Sequence, residues 1–211
     1  MTGRMIVESF PVGPFQCNCM ILGCEETKAA IVIDPGEESD RIVDRLEKLR
    51  LKTIYLLHTH AHLDHIGATD SVQKKTGAKT GLHEDDMPLC ENLHIQAERF
   101  GLPTPPVPAI DLFLKGGDSL SFGERKAEVL HTPGHTPGSL SFYIPTFGLI
   151  TGDTLFAGSV GRTDLWGGSH PTLIRSIQKE LLSFPDETMV YPGHGPKTTI
   201  GKERRGNPFL T

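Results

Sequence analysis

His60, His62, Asp64 and His65 fall within six residues of one another, inside the run HTHAHLDH from His58 to His65. Imidazole nitrogens and carboxylate oxygens at this density are metal ligands by chemistry, and four together exceed what a chance histidine in a loop provides. On an extended stretch, residues two apart point the same way, so His60, His62 and Asp64 converge on one side. A tight turn then aims the adjacent His65 elsewhere. Four ligands fanning in two directions are more than one closed tetrahedral zinc needs, which predicts two neighbouring metal ions completed by distant residues.

Three further segments present one good ligand each. HTPGHTPGS, from His131 to Ser139, holds His135 in a loop stiffened by glycine and proline; LITGDTLF ends a strand at Gly152 and presents Asp153; VYPGHG delivers His194. Each is a strand, a turn and then a ligand. Strands that carry their polar residues at one end build a cleft along one sheet edge. His131, four residues before His135, is placed to orient it by a hydrogen bond, as groups behind metal ligands commonly do.

Those ligands need elements to position them. Apolar, β-prone runs predict strands over Met5 to Phe10, Phe15 to Gly23, Ala29 to Asp34, Thr53 to Leu57, Lys79 to Leu82, Leu112 to Lys115, Lys126 to His131, Ser139 to Ile144, Gly148 to Thr151 and Thr188 to Tyr191. Helical patterns cover Glu38 to Arg50, Ile66 to Thr76, Glu84 to Phe100 and Pro171 to Phe184. Ser169 and His170 compete to begin the last helix. Gly101 to Ile110 carries four prolines and is expected as an extended surface connection. Ligand candidates lie on both sides of it, so residues 1–211 read as one domain, with Met1 to Arg4 as a short leader.

Composition narrows the function classes. A formal charge of −5 and a pI near 6.0 leave no basic footprint for nucleic acid. No apolar run is long enough to cross a bilayer, and no signal-peptide pattern opens the chain, so a cytoplasmic protein is expected. Cys17, Cys19, Cys24 and Cys90 read as small core residues of a reducing compartment, with Cys17 and Cys19 on one strand face.

HTHAHLDH, TPGHTPGS, TGDTLF and YPGHG, in that order, resemble the metallo-β-lactamase superfamily, and more closely its short glyoxalase II-like hydrolases. GSVGRTDL (Gly158 to Leu165) and the tail GHGPKTTIGKERRGNPFL (Gly193 to Leu210) carry the same likeness. The resemblance implies an α/β (α+β) fold, an αββα sandwich with its site along the shared sheet edge. It implies a first metal held by His60, His62 and His135, a second by Asp64, His65 and His194, and Asp153 bridging both beside a shared water. Two divalent ions are expected, zinc first, with iron or manganese as alternatives. The longer glyoxalase II enzymes continue into a helical glutathione-binding domain, and that domain is not expected here.

Two cations sharing one water lower its pKa toward neutrality and can stabilise charge developing on a carbonyl oxygen. A thioester suits such a site, because its thiolate leaves with little proton donation. The expected reaction is hydroxide attack on an acyl carbon of a small-molecule thioester, with Asp64 and Asp153 as the catalytic carboxylates and thiol plus carboxylate as products. A carboxylate at Asp153, rather than a cysteine near the metal, makes antibiotic hydrolysis the weaker expectation. The rival is persulfide oxidation at a single iron held by His60, His135 and Asp153; PGHGP at Pro192 to Pro196 favours hydrolysis. A metal-bound binding module without catalysis is the third reading.

Substrate contacts are sought in Arg162, His170 and Lys197, with Lys202, Arg204 and Arg205 as further cations of the tail. Arg162 and Asp164 also form a natural ion pair bracing the loop after Asp153. His58 is expected packed or behind the ligands, and His83 and His94 at the surface.

Overall fold

The computed structural model describes residues 4–210, so the expected leader lies, except for Arg4, outside the described residues. One sheet takes its strands in chain order: β1 Met5–Val12, β2 Cys17–Cys24, β3 Ala29–Ile33, β4 Lys52–Leu57, β5 Lys79–Leu82 and β6 Leu112–Phe113. The first three pair antiparallel and the last four parallel. A second sheet begins with β7 Ser119–Phe122, β8 Arg125–His131, β9 Leu140–Ile144 and β10 Gly148–Gly152. After a small hairpin of β11 Leu155–Phe156 and β12 Ser159–Val160, it is completed by β13 Met189–Pro192, parallel to β10, and by β14 Thr198–Thr199 at the edge.

Period-two alternation makes the layers. Met20, Leu22, Ile31 and Ile33 turn inward and meet Phe122, Val129, Phe142 and Ile144 of the opposite sheet. Their neighbours Cys19, Ile21 and Val32 turn outward onto Ile42 and Leu46 of α1 Ser39–Lys48. Each fully buried aliphatic side chain contributes about 1.5–3 kcal/mol relative to exposure, so these two interfaces hold the sheets in place. Beyond β4 the chain forms α2 Leu63–Ile66 and α3 Thr69–Thr76, then α4 Met87–Glu91 and α5 Leu93–Phe100. On the far face, Leu149 and Val190 pack under Leu173 of α6 His170–Ser176 and Ile200 of α7 Ile200–Gly206. The arrangement is an αββα sandwich of mixed α/β class.

Three expected helices are broken. Ile66 to Thr76 is divided at Gly67 and Ala68 into α2 and α3, because α2 is one turn that starts at the ligand run itself. Glu84 to Phe100 becomes a 3-10 turn over Glu84–Asp86, then α4 and α5, interrupted at Asn92, whose amide side chain donates to the Pro88 carbonyl. Pro171 to Phe184 becomes α6 followed by a π-helical turn over Ile177–Leu181. Strands β7, β11, β12 and β14 and helix α7 were not expected; four are short, and the tail's charge hid the buried Ile200 and Glu203 of the fifth. Gly101 to Ile110 carries neither helix nor strand, as its prolines predict.

Gly36, just after β3, packs directly against the ligand run. A Cβ there would lie 1.6 Å from the Asp64 carbonyl oxygen. We expect Gly36→Ala to destabilise the protein by about 3 kcal/mol, because backbone rather than a flexible side chain must yield. Urea unfolding measures this, and an unchanged midpoint would rule out the close approach.

Candidate metal centre

All seven ligand candidates meet at the same edge of the sandwich. β4 leads into His60, His62, Asp64 and His65; the loop between β8 and β9 brings His135; β10 ends before Asp153 and β13 before His194. β10 and β13 are tied at this end by the Gly193 amide donating to the Gly152 carbonyl at 2.7 Å. Side chain is scarcely tolerated there, since a Cβ on Gly193 would lie 2.3 Å from Asp153 Oδ1.

The groups separate into two clusters. His135 Nε2 lies 3.2 Å from His60 Nε2 and 2.9 Å from His62 Nδ1. His194 Nε2 lies 3.3 Å from His65 Nε2 and 3.2 Å from Asp64 Oδ2. Asp153 stands between them, with Oδ1 3.4 Å from His65 Nε2 and Oδ2 3.7 Å from His135 Nε2. Ligand atoms at the corners of a zinc tetrahedron with bonds near 2.05 Å are about 3.3 Å apart, the spacing seen in both clusters.

The hydrogen-bond network fixes which nitrogens are bare. His135 Nδ1 faces the Arg162 carbonyl at 2.7 Å, an acceptor only, so Nδ1 carries the proton and Nε2 a lone pair. Thr59 Oγ1 donates to Asp34 Oδ2 at 2.7 Å and so accepts from His60 Nδ1 at 3.1 Å, leaving His60 Nε2 bare as well. His65 Nδ1 donates to Asp34 Oδ2 at 3.0 Å, freeing its Nε2. Lone pairs aimed at one another repel unless a cation sits between them. Asp153 Oδ1 is buried with no hydrogen-bond partner among the described residues, which is the same demand made by a carboxylate. The donor set therefore fits two divalent cations.

Electrostatics point the same way. Burial, then the neighbouring His65 and His135, push the His60 pKa well below its ordinary value. Burial and His135 bring His62 down to about 3. Both imidazoles are therefore neutral at physiological pH, with a lone pair free for a cation. For Asp64, burial opposes ionisation, but His65 and His194 outweigh it and hold the carboxyl below its usual range. Burial likewise opposes charge on His65, yet Cys17, Asp153, Asp64 and Asp34 raise its pKa well above normal. The second cluster, with its carboxylates, is a place that attracts positive charge.

Two carboxylates that sequence reasoning missed brace the ligand loops. Asp34 accepts from the Thr59 amide at 2.8 Å as well as from the Thr59 hydroxyl and His65. Asp86, fully buried, accepts from the Ala61 amide at 3.0 Å, the Thr136 hydroxyl at 2.9 Å and the Gly138 amide at 2.7 Å, pinning both loops of the first cluster. Asp34 had a readable signal, a carboxylate directly after an apolar strand. Asp86 had none, because EDD reads as an acidic helix start.

The other candidates disperse. Arg162 lies on the wall of a cavity of about 610 Å³ over the clusters, held to Asp164 by two 2.7 Å bonds. His170 is exposed and does not line that cavity; Ser169 is the N-cap of α6, its hydroxyl bonded to Thr172 Oγ1 rather than to backbone. Lys197 lines a separate cavity of about 320 Å³ with Val7, Asn18 and Tyr191, because the turn at Gly195 carries the chain away from the metals. Arg204 and Arg205 pair with Asp186. His131 bonds the Pro137 carbonyl at 3.0 Å and stacks on His83 at 4.2 Å, so it steadies the loop rather than touching His135. His83 is thus buried, not at the surface, whereas His94 is exposed and His58 is packed between the Gly81 carbonyl and Thr69.

All four cysteines are free and buried. Burial pushes the Cys17 thiol up to about 12 and Cys90 to about 11. The reactive thiolate is then scarce at pH 8, and we expect no alkylation by iodoacetamide until the protein is unfolded. Mass spectrometry checks this; rapid native labelling of Cys17 would contradict it.

Among the described residues, no helix is long and apolar enough to cross a membrane. Comparison with known proteins places this geometry. The hydroxyacylglutathione hydrolase GloC of Haemophilus influenzae is 44% identical over 214 residues, covering 98% of both chains. The human mitochondrial persulfide dioxygenase ETHE1 is 32% identical, over 94% of this chain and 73% of its own. Among solved structures, the BLEG-1 B3 metallo-β-lactamase superposes with a TM-score of 0.91 at 39% identity, covering 98% of this chain and all of its own. A protein solved in a di-iron-bound form gives 0.85 at 40% identity, over 95% and 98%. The metallo-beta-lactamase superfamily model matches residues 12–194, and with these relatives it shows that the chain belongs to the metallo-β-lactamase superfamily.

Proposed function

We propose that this protein hydrolyses a small-molecule thioester at a two-metal centre. The observation that carries the reading is Asp153, which turns one carboxylate oxygen to each histidine cluster. His60, His62 and His135 would hold one cation, Asp64, His65 and His194 the other, and Asp153 both. A cation pair in this place lowers the pKa of a shared water and polarises an acyl carbonyl. Zinc suits the mixed nitrogen and oxygen donors, with iron or manganese as alternatives, and the di-iron relative supports iron as a candidate. Asp64 and Asp153 would be the carboxylates available to take the shared water's proton, while Asp34 orients His65 directly and His60 through Thr59, and Asp86 holds the backbone that carries His60, His62 and His135. The thiolate product needs no strong acid.

The relative named as a hydroxyacylglutathione hydrolase supports hydrolysis. The persulfide dioxygenase relative keeps the rival alive, since His60, His135 and Asp153 form a two-histidine, one-carboxylate set. The complete second cluster favours hydrolysis, because a single iron leaves His194 and Asp64 without a task. Thiol release from S-lactoylglutathione, oxygen uptake with glutathione persulfide and cleavage of a β-lactam, measured side by side, decide the matter. Thiol release is expected to dominate; oxygen uptake or β-lactam cleavage alone would overturn the proposal.

A further inference from the structure

The cavity over the metal centre gathers apolar surface. Among the described residues eight large hydrophobic side chains are exposed, and four of them, Phe15, Ile95, Phe100 and Trp166, line this one cavity. Scattered singly they would need no explanation, but clustered beside a polar centre they mark a binding wall. They arrive from three segments: the turn between β1 and β2, helix α5, and the loop after β12. Phe15 meets Phe100 edge to face at 4.9 Å, closing one side.

Two cations stand on the same wall. Arg162 is engaged with Asp164 at hydrogen-bond distance, whereas Arg99 makes no close ion pair among the described residues and meets the charge of Asp164 from farther off. The cavity thus has a metal-ligand floor, an apolar side and two arginines that share one aspartate, which leaves a surplus of positive charge. Its volume, about 610 Å³, lies in the range of pockets that enclose a drug-sized molecule. A short hydroxyacyl group would leave the apolar wall wet.

We propose that the cavity selects thioesters of an extended apolar acyl chain, of about six carbons or more, joined to a thiol carrying a carboxylate that meets Arg99. This rests on the thioesterase reading for the position of the scissile carbonyl. The acyl chain lies against Ile95 and Trp166, and the reaction remains water addition to the acyl carbon with departure of the thiolate.

Trp166 is the only tryptophan in the chain, so its fluorescence reports on the wall directly. Metal-loaded protein is titrated with S-hexylglutathione and S-methylglutathione, thioethers that cannot be hydrolysed. Each fully buried methylene is worth about fourfold in affinity, so partial burial of five gives the hexyl compound at least about a tenfold advantage. Ile95→Ser is expected to narrow that ratio, and Arg99→Ala to weaken both ligands. Equal binding of the two thioethers, or a ratio untouched by Ile95→Ser, would overturn the proposal. Turnover of S-hexanoylglutathione and S-lactoylglutathione is then compared. Preference for the hexanoyl ester supports the cavity's role, and preference for the lactoyl ester opposes it. Chain-length-dependent binding with no thiol release from either would leave the apolar site standing and remove the thioesterase reading instead.

Discussion

Asp153→Ala is expected to lower kcat/KM for thioester hydrolysis by about a thousandfold or more, equivalent to roughly 4 kcal/mol of lost transition-state stabilisation. Its carboxylate turns one oxygen to each cluster, and its buried Oδ1 has no hydrogen-bond donor among the described residues to account for it. On the proposed two-metal reading, removing it would take a ligand from each metal position at once. Metal content should fall below two per chain, while the far-ultraviolet circular dichroism stays that of the parent, because no strand depends on this side chain. Full activity together with full metal content in the variant would show that Asp153 is not a shared ligand.

The second large effect is structural. Asp86→Ala is expected to cost about 3–5 kcal/mol, since three buried donors lose their acceptor and each unsatisfied group costs about 1–3 kcal/mol. Those donors are the Ala61 amide between His60 and His62, the Thr136 hydroxyl beside His135, and the Gly138 amide. Burial raises the Asp86 pKa and the three hydrogen bonds oppose that rise, so the network holds a group that burial alone would leave costly. A chain of this size should lose roughly 10 °C in Tm. Metal affinity at the first cluster should also fall by about 10- to 100-fold, as for groups that orient ligands from behind. Thermal unfolding with and without metal separates the two effects. A variant with the parent's Tm would sink the bracing role.

The seven ligand candidates were legible because each is locally encoded: four crowd into one short run after an apolar strand, and three follow an apolar strand and a glycine or proline turn. His135, Asp153 and His194 could be assigned to one edge before any coordinates, since strand ends in a layered sheet share a side. What stayed illegible depends on contacts between distant segments. Asp86 reaches Gly138 across 52 residues, and the stack of His83 on His131 joins β5 to β8. Neither leaves a mark on local pattern. Lys197 misled for the complementary reason: three residues after His194 is close in sequence, but the turn at Gly195 sends it to another cavity. The helices were found but not their breaks, because hydrophobic periodicity continues through Gly67 and Asn92 while the backbone does not. The apolar wall of Phe15, Ile95, Phe100 and Trp166 was likewise invisible, its members lying on three separate segments.

Metal analysis of the protein purified without added metal, expressed per chain and set beside His194→Ala, tests the central claim most directly. The two-cluster geometry predicts two equivalents in the parent and a loss confined to one of them in the variant, with thiol release falling in step. One iron per chain in the parent, unchanged in His194→Ala and accompanied by oxygen uptake with a persulfide, would contradict it.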